Sequence, residues 1–194
     1  MTRAADLAKL IAGSSTLGGT GELVLKDVDT ADGSSPKITF QTGDTDIAQD
    51  DVLGTINFQA PDEGTGTDAI LVSAGVEAKA EGDFSSSSNA TSLTFKTGSS
   101  EAAAEKMRID SSGNVLVGTT ASTDPATNNV ANGIRIAGSN GRISASADGT
   151  QALNLNRKTD DGEIANFRKD GTTVGTIETS GGNLIVQGST ATGK

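Results

Sequence analysis

The chain has 194 residues and a net charge of −10 at pH 7, with 15 Lys and Arg against 25 Asp and Glu. It contains no Cys, His, Trp or Tyr, which excludes disulfide staples, thiolate metal centres and any Ser-His-Asp or Cys-His catalytic arrangement. Its few basic residues are scattered, as in the pairs Arg157-Lys158 and Arg168-Lys169, which disfavours nucleic acid as a partner, and no apolar run is long enough to cross a bilayer.

The chain order begins with a short helix expected over residues 2–12. Thr2 supplies a cap, and Ala4, Ala5, Leu7, Ala8, Leu10 and Ile11 cover most of its surface. Three turns are marginal in isolation. A Gly/Ser/Thr-rich linker follows as far as Gly21 and offers little to pack against. Residues 1–20 are therefore expected to anchor the chain in a larger assembly, with Leu7, Leu10 and Ile11 as the docking side chains, or to form a helix bundle at one end of an oligomer; the simpler alternative is that the helix packs on the rest of its own chain.

From residue 22 onward the pattern is strand and turn. Strands are expected at 22–26, 37–41, 52–60, 69–79, 91–96, 105–109 and 114–117. A polar linker is expected at 119–132, then further strands at 133–137, 142–146, 151–157, 163–168, 172–178 and 183–187. Apolar residues alternate with polar ones at Ile38/Phe40, Ile56/Phe58, Leu93/Phe95, Ile134/Ile136 and Leu153/Leu155, so one face of each strand should be buried and the other wet. Turn residues separate them: Asp32-Gly33, Asn140-Gly141, Asp148-Gly149, Asp161-Gly162 and Asp170-Gly171. The stretch from Ser100 to Glu105 has helical propensity for at most one turn. Ile38-Thr-Phe-Gln-Thr-Gly43 is repeated as Leu93-Thr-Phe-Lys-Thr-Gly98, as in arrays whose units bury their faces on neighbours.

Aromatic residues make up only 3% of the chain. Large apolar side chains dominate core energetics, so a chain this poor in them should bury its strands against copies of itself. The candidate shared core is Ile38, Phe40, Ile56, Phe58, Leu93, Phe95, Leu153 and Leu155. The division expected is an N-terminal segment at 1–20, a β-region at 21–118, the linker at 119–132 and a C-terminal β-module at 133–194.

Acidic clusters stand at Asp44/Asp46/Asp50/Asp51 and Asp160/Asp161/Glu163. Two carboxylates can hydrolyse a glycoside, but the aromatic platforms that usually hold a sugar are missing. Polar loops are the simpler reading, and no catalytic residue is assigned. Asp27-Val-Asp29-Thr-Ala-Asp32-Gly33 has its third acid one residue late for a calcium loop, and Ile38 stands where a bidentate Glu is needed. The run from Gly188 to Lys194 spells a phosphate loop, but it lacks the Ser or Thr after the Lys and the helix such a loop requires. No cofactor or metal is expected.

Four segments read together carry a resemblance. They are Gly54-Thr-Ile-Asn-Phe, Ser73-Ala-Gly-Val-Glu-Ala, Leu93-Thr-Phe-Lys-Thr-Gly and Glu105-Lys-Met-Arg-Ile-Asp-Ser-Ser-Gly-Asn-Val. Their order resembles the shaft modules of bacteriophage tail fibres, especially those of marine and cyanobacterial phages. Gly149-Thr-Gln-Ala-Leu-Asn-Leu-Asn-Arg157 followed by Phe167-Arg-Lys-Asp-Gly-Thr-Thr-Val-Gly175 resembles another module of such fibres. The resemblance spans roughly residues 36–187. It implies a mainly β fold, an elongated homotrimeric fibre with strands intertwined or side by side, and a virion protein without enzyme activity. The implied partners are two further copies, other virion proteins, and a host surface glycan or protein. Assembly is expected in the host cytoplasm. The rival class is a lectin-like or carbohydrate-active domain.

Overall fold

The computed structural model describes residues 32–33, 35–60, 68–128 and 131–188. The helix expected over 2–12 with Leu7, Leu10 and Ile11, the strand expected at 22–26, and Asp27 and Asp29 lie outside the described residues. So does the chain beyond Gly188. The fold is mainly β, and the described residues form two antiparallel sheets. The chain divides into two compact units, 1–40 and 41–194. In the first, the described residues form no strand. The second holds both sheets.

The larger sheet has seven strands in chain order: β1 (Val52–Gln59), β2 (Val72–Ala80), β3 (Thr91–Thr97), β4 (Ala104–Ile109), β5 (Val115–Val117), β6 (Gly133–Ile136) and β7 (Ile143–Ser146). The smaller is β8 (Gly162–Lys169), β9 (Thr172–Ser180) and β10 (Asn183–Gly188), with β9 in the middle. A 3-10 turn, Asp68–Ile70, precedes β2, and a four-residue helix α1 (Pro125–Asn128) lies between β5 and β6.

Short turns between alternating strands favour a meander, because successive antiparallel strands can be joined by a few residues. The clearest case is β8–β9. Only Asp170 and Gly171 connect the strands, with φ of 49° and 79°. Two consecutive positive φ angles give the hairpin turn whose twist matches the flanking strands, and Asp-Gly is a preferred pair for it.

Two expected strands did not form. Residues 37–41 and 151–157 are irregular and exposed, including Ile38, Phe40, Leu153 and Leu155. Both have the alternation of a strand, but neither has a strand partner among the described residues, and a strand exists only in a ladder. The internal repeat is therefore one of sequence and not of structure: Leu93–Thr97 lies in β3, whereas its counterpart at 38–42 is unpaired. The stretch 119–132 does not separate one sheet from another. It joins β5 to β6, which pair directly, Val115 with Ile136 and Val117 with Ile134. Between Ser100 and Glu105 there is no helical turn; bends lead into β4 at Ala104.

Burial is sparse. Among the described residues the buried apolar core consists of Ala80, Leu116 and Ala137. Buried polar residues outnumber them: Ser92, Thr94, Asp110, Asn114 and Ser144.

Candidate functional site

The register of the seven-stranded sheet sorts its side chains onto two faces, since directly paired residues point the same way. One row runs Ile56, Val76, Phe95, Met107, Val117, Ile134 and Ala145. The next runs Ala78, Leu93, Ile109, Val115, Ile136 and Ile143. Phe58 extends the same face beside Ala74. Every residue in both rows is apolar. Yet Ile56, Phe58, Leu93, Ile109, Val117, Ile134, Ile136 and Ile143 are between 38% and 70% exposed.

The opposite face carries Thr55, Glu77, Thr94, Arg108, Leu116, Arg135 and Ser144 in one row. This polar face is the one that the chain closes by itself. Lys96 reaches Glu77 at 2.9 Å, and Arg108 pairs with Glu105. The Glu105 hydrogen bond raises the pKa of the Arg108 guanidinium against the opposing effect of burial. The Ser92 and Thr94 hydroxyls donate to the carbonyls of Lys79 and Glu77. Leu116 stands between Arg108 and Arg135 in the row, where long side-chain stems can lie against it. A sheet with its polar face covered and its apolar face bare is the reverse of an ordinary monomer.

Eight such residues side by side make a contiguous exposed apolar patch of the kind that marks an interaction surface. The smaller sheet also exposes large apolar side chains. Phe167, Ile177, Leu184 and Val186 fall on one of its faces by register, and Phe167, Leu184 and Val186 are 52%, 69% and 72% exposed.

Two polar pins hold the larger sheet in shape. In the first, the Asp110 carboxylate accepts from the Asn114 N–H at 2.8 Å and from its side-chain amide at 2.8 Å. The Asn114 Oδ1 accepts in turn from Arg135 and from the Gly138 N–H. This ties the β4–β5 turn to β6. A Cβ at Gly138 would lie 2.4 Å from the Gly113 carbonyl oxygen, so the close approach requires glycine there.

In the second pin, Asp124 precedes Pro125 and caps α1 by accepting from the Ala126 N–H. Its other oxygen takes the Ser144 hydroxyl and the Arg142 guanidinium, so α1 is fastened to β7. Burial pushes the Asp124 carboxyl up, but the Ala126 N–H, the Ser144 hydroxyl and the charges of Arg142 and Arg135 hold it below its usual value. A depressed carboxylate stabilises the fold above its unfolded pKa, and the contribution is lost as pH falls through the folded one. Asp124→Asn should therefore lower the thermal midpoint at pH 7. Parent and variant should converge as the pH falls below about 4. An equal gap at pH 7 and pH 2 would remove the charge from the account.

The structure brings together four of the eight sequence-derived core residues. Ile56, Phe58, Leu93 and Phe95 share the apolar face across β1 and β3, while Ile38, Phe40, Leu153 and Leu155 stand outside any sheet. The sequence reading missed Ile109, Val117 and Ile143 as members of this face. Val115-Leu-Val117 is too short to show a period, and in β7 only Ile143 is large. It also missed α1, although Asp124-Pro125 is an N-cap followed by a proline at the first helical position.

The acidic clusters serve the loops. Asp44 accepts from the Asp46 N–H, Asp51 from the Ala48 N–H and Asp161 from the Gly181 N–H. Asp50 pairs with Lys79, and Asp160 with Arg157. Among the described residues no group of three acids, His or Cys is placed to hold a metal ion. An open hollow of about 550 Å³ beside β4 has Glu105 as its one carboxylate, which is the residue paired with Arg108.

No family model matches the chain, and no curated protein matches it.

Proposed function

We propose that this protein is the structural subunit of a virion fibre, a homotrimer whose copies cover one another's apolar sheet faces. It is fixed to the particle through its N-terminal segment and directed at the host surface. The observation that carries this reading is the inverted sheet: Ser92 and Thr94 are each 1% exposed on the polar face, while Ile143 is 70% exposed on the apolar one. Self-association is the economical way to cover such a face, because every copy brings the same surface. The number three and the virion setting rest on the resemblance of residues 36–187 to phage fibre modules. The acids spent on caps, turns and ion pairs favour a structural subunit over a hydrolase.

Deleting residues 1–20 tests the attachment. The β-sheets should stay folded and associated, because few contacts should cross a Gly/Ser/Thr linker. Incorporation into particles should be lost with Leu7, Leu10 and Ile11. Truncated protein found in virions at normal copy number would move the attachment elsewhere. A truncation that unfolds the sheets would make the segment a piece of the core.

A further inference from the structure

Among the described residues the two sheets have four edges, formed by β1, β7, β8 and β10. An edge strand presents unpaired N–H and C=O groups to any passing strand, and proteins usually blunt it with bulges, charges or brevity. Three of these edges are blunted. The pairing of β1 is interrupted by two register shifts. Strand β7 is only four residues long. Strand β8 has two register shifts and carries Glu163, Arg168 and Lys169.

Strand β10 has none of these protections. It runs six residues, Asn-Leu-Ile-Val-Gln-Gly, without a charge or a proline. Its pairing with β9 is unbroken from Asn183 to Gly188. Gln187, its longest polar side chain, is bonded back to Glu178. An open, regular and uncharged edge of this kind is built to receive another strand.

The same chain holds a segment suited to fill it. Residues 151–157 read Gln-Ala-Leu-Asn-Leu-Asn-Arg, are exposed throughout, and belong to no strand. Among the described residues no backbone hydrogen bond joins them to another segment. Leu153 and Leu155 alternate with Asn154 and Asn156, as in a strand with one apolar face. The segment is placed poorly for its own β10. Arg157 donates to the carbonyls of Asp160 and Glu163, at 2.8 and 3.3 Å. That fastens the segment to the start of β8, on the far side of β9 from β10.

We propose that residues 151–157 of one copy add to β10 of a neighbouring copy as a fourth strand. Main-chain hydrogen bonds supply the affinity in this mode of recognition. In the added strand Leu153 and Leu155 extend the apolar face of Leu184 and Val186. Donor and acceptor are different surfaces, so the contact runs head to tail and leaves no β10 edge uncovered once the ring closes. The proposal rests on the trimeric reading above and gives it a geometry: three donors fill three acceptors.

Two measurements on the full-length protein test it. In hydrogen exchange followed by mass spectrometry, the peptide covering 151–157 should exchange about 100-fold or more slowly than an unstructured chain. Because the chain has no cysteine, engineered thiols report pairing cleanly. Chains with Asn154→Cys, assembled with chains carrying Ile185→Cys or Gln187→Cys, should form a disulfide between copies that neither variant forms alone. A trimeric mass with free exchange at 151–157 and no mixed disulfide would overturn the strand addition and leave the trimer standing. Cross-linking of Gln187→Cys with itself would show that β10 pairs with β10, and would overturn it too. A monomeric mass would overturn both readings.

Discussion

Ile134→Asp should dissociate the assembly into single chains. Ile134 lies within the apolar face, between Val117 and Ala145 in register, and is 42% exposed. In the assembled protein its side chain would be covered by another copy, and a carboxylate there would have no basic partner on an otherwise apolar face. Burying an unpaired charge costs several kcal/mol, and the cost recurs in every copy. The polar face should survive, because Arg135, Arg108 and Glu105 lie on the other side. The variant should elute at the mass of one chain or precipitate, whereas Ser139→Asp, in an exposed turn, should leave the assembly intact. An Ile134→Asp protein that keeps its full mass would mean that this face is not the interface.

Asn114→Ala should cost about 3–5 kcal/mol of stability. Asn114 is 5% exposed. Its side chain joins the Asp110 carboxylate to Arg135 and to the Gly138 N–H. Truncation leaves a carboxylate oxygen, a guanidinium and a backbone donor short of partners in a place that water hardly reaches. Loss of bonds to charged groups is the expensive kind. Urea unfolding should show the loss as a lower midpoint. Asn89→Ala, on an exposed loop, should stay within about 0.5 kcal/mol of the parent. A cost below about 1 kcal/mol at Asn114 would mean that the turn holds its shape without the pin.

Much of the sheet was legible in the sequence for simple reasons. Ile56/Phe58 and Leu93/Phe95 alternate with period two, and Asp170-Gly171 marks a two-residue turn whatever surrounds it. Local chemistry sufficed in those places. At 37–41 and 151–157 the same alternation yields no strand within the chain, because a strand also needs a partner, and the partner is not a local property. The sense of burial was hidden for a related reason. Thr94 and Phe95 are neighbours in β3, and hydrophobicity alone assigns Phe95 to the inside. Within one chain it is Thr94 that is buried, because Glu77, Lys96, Arg108 and Glu105 gather around it into ion pairs. The long-range bonds of the polar pins join residues from 18 to 24 positions apart, such as Asp124 with Arg142 and Asn114 with Gly138, and no local window contains both ends.

If the apolar face exists to be covered by copies of the same chain, the mass of the particle in solution must show it. Multi-angle light scattering of the purified protein at micromolar concentration reads that mass without a probe or a label. The expected value is about three times the 19.4 kDa of one chain. A folded, stable species of 19.4 kDa would contradict it.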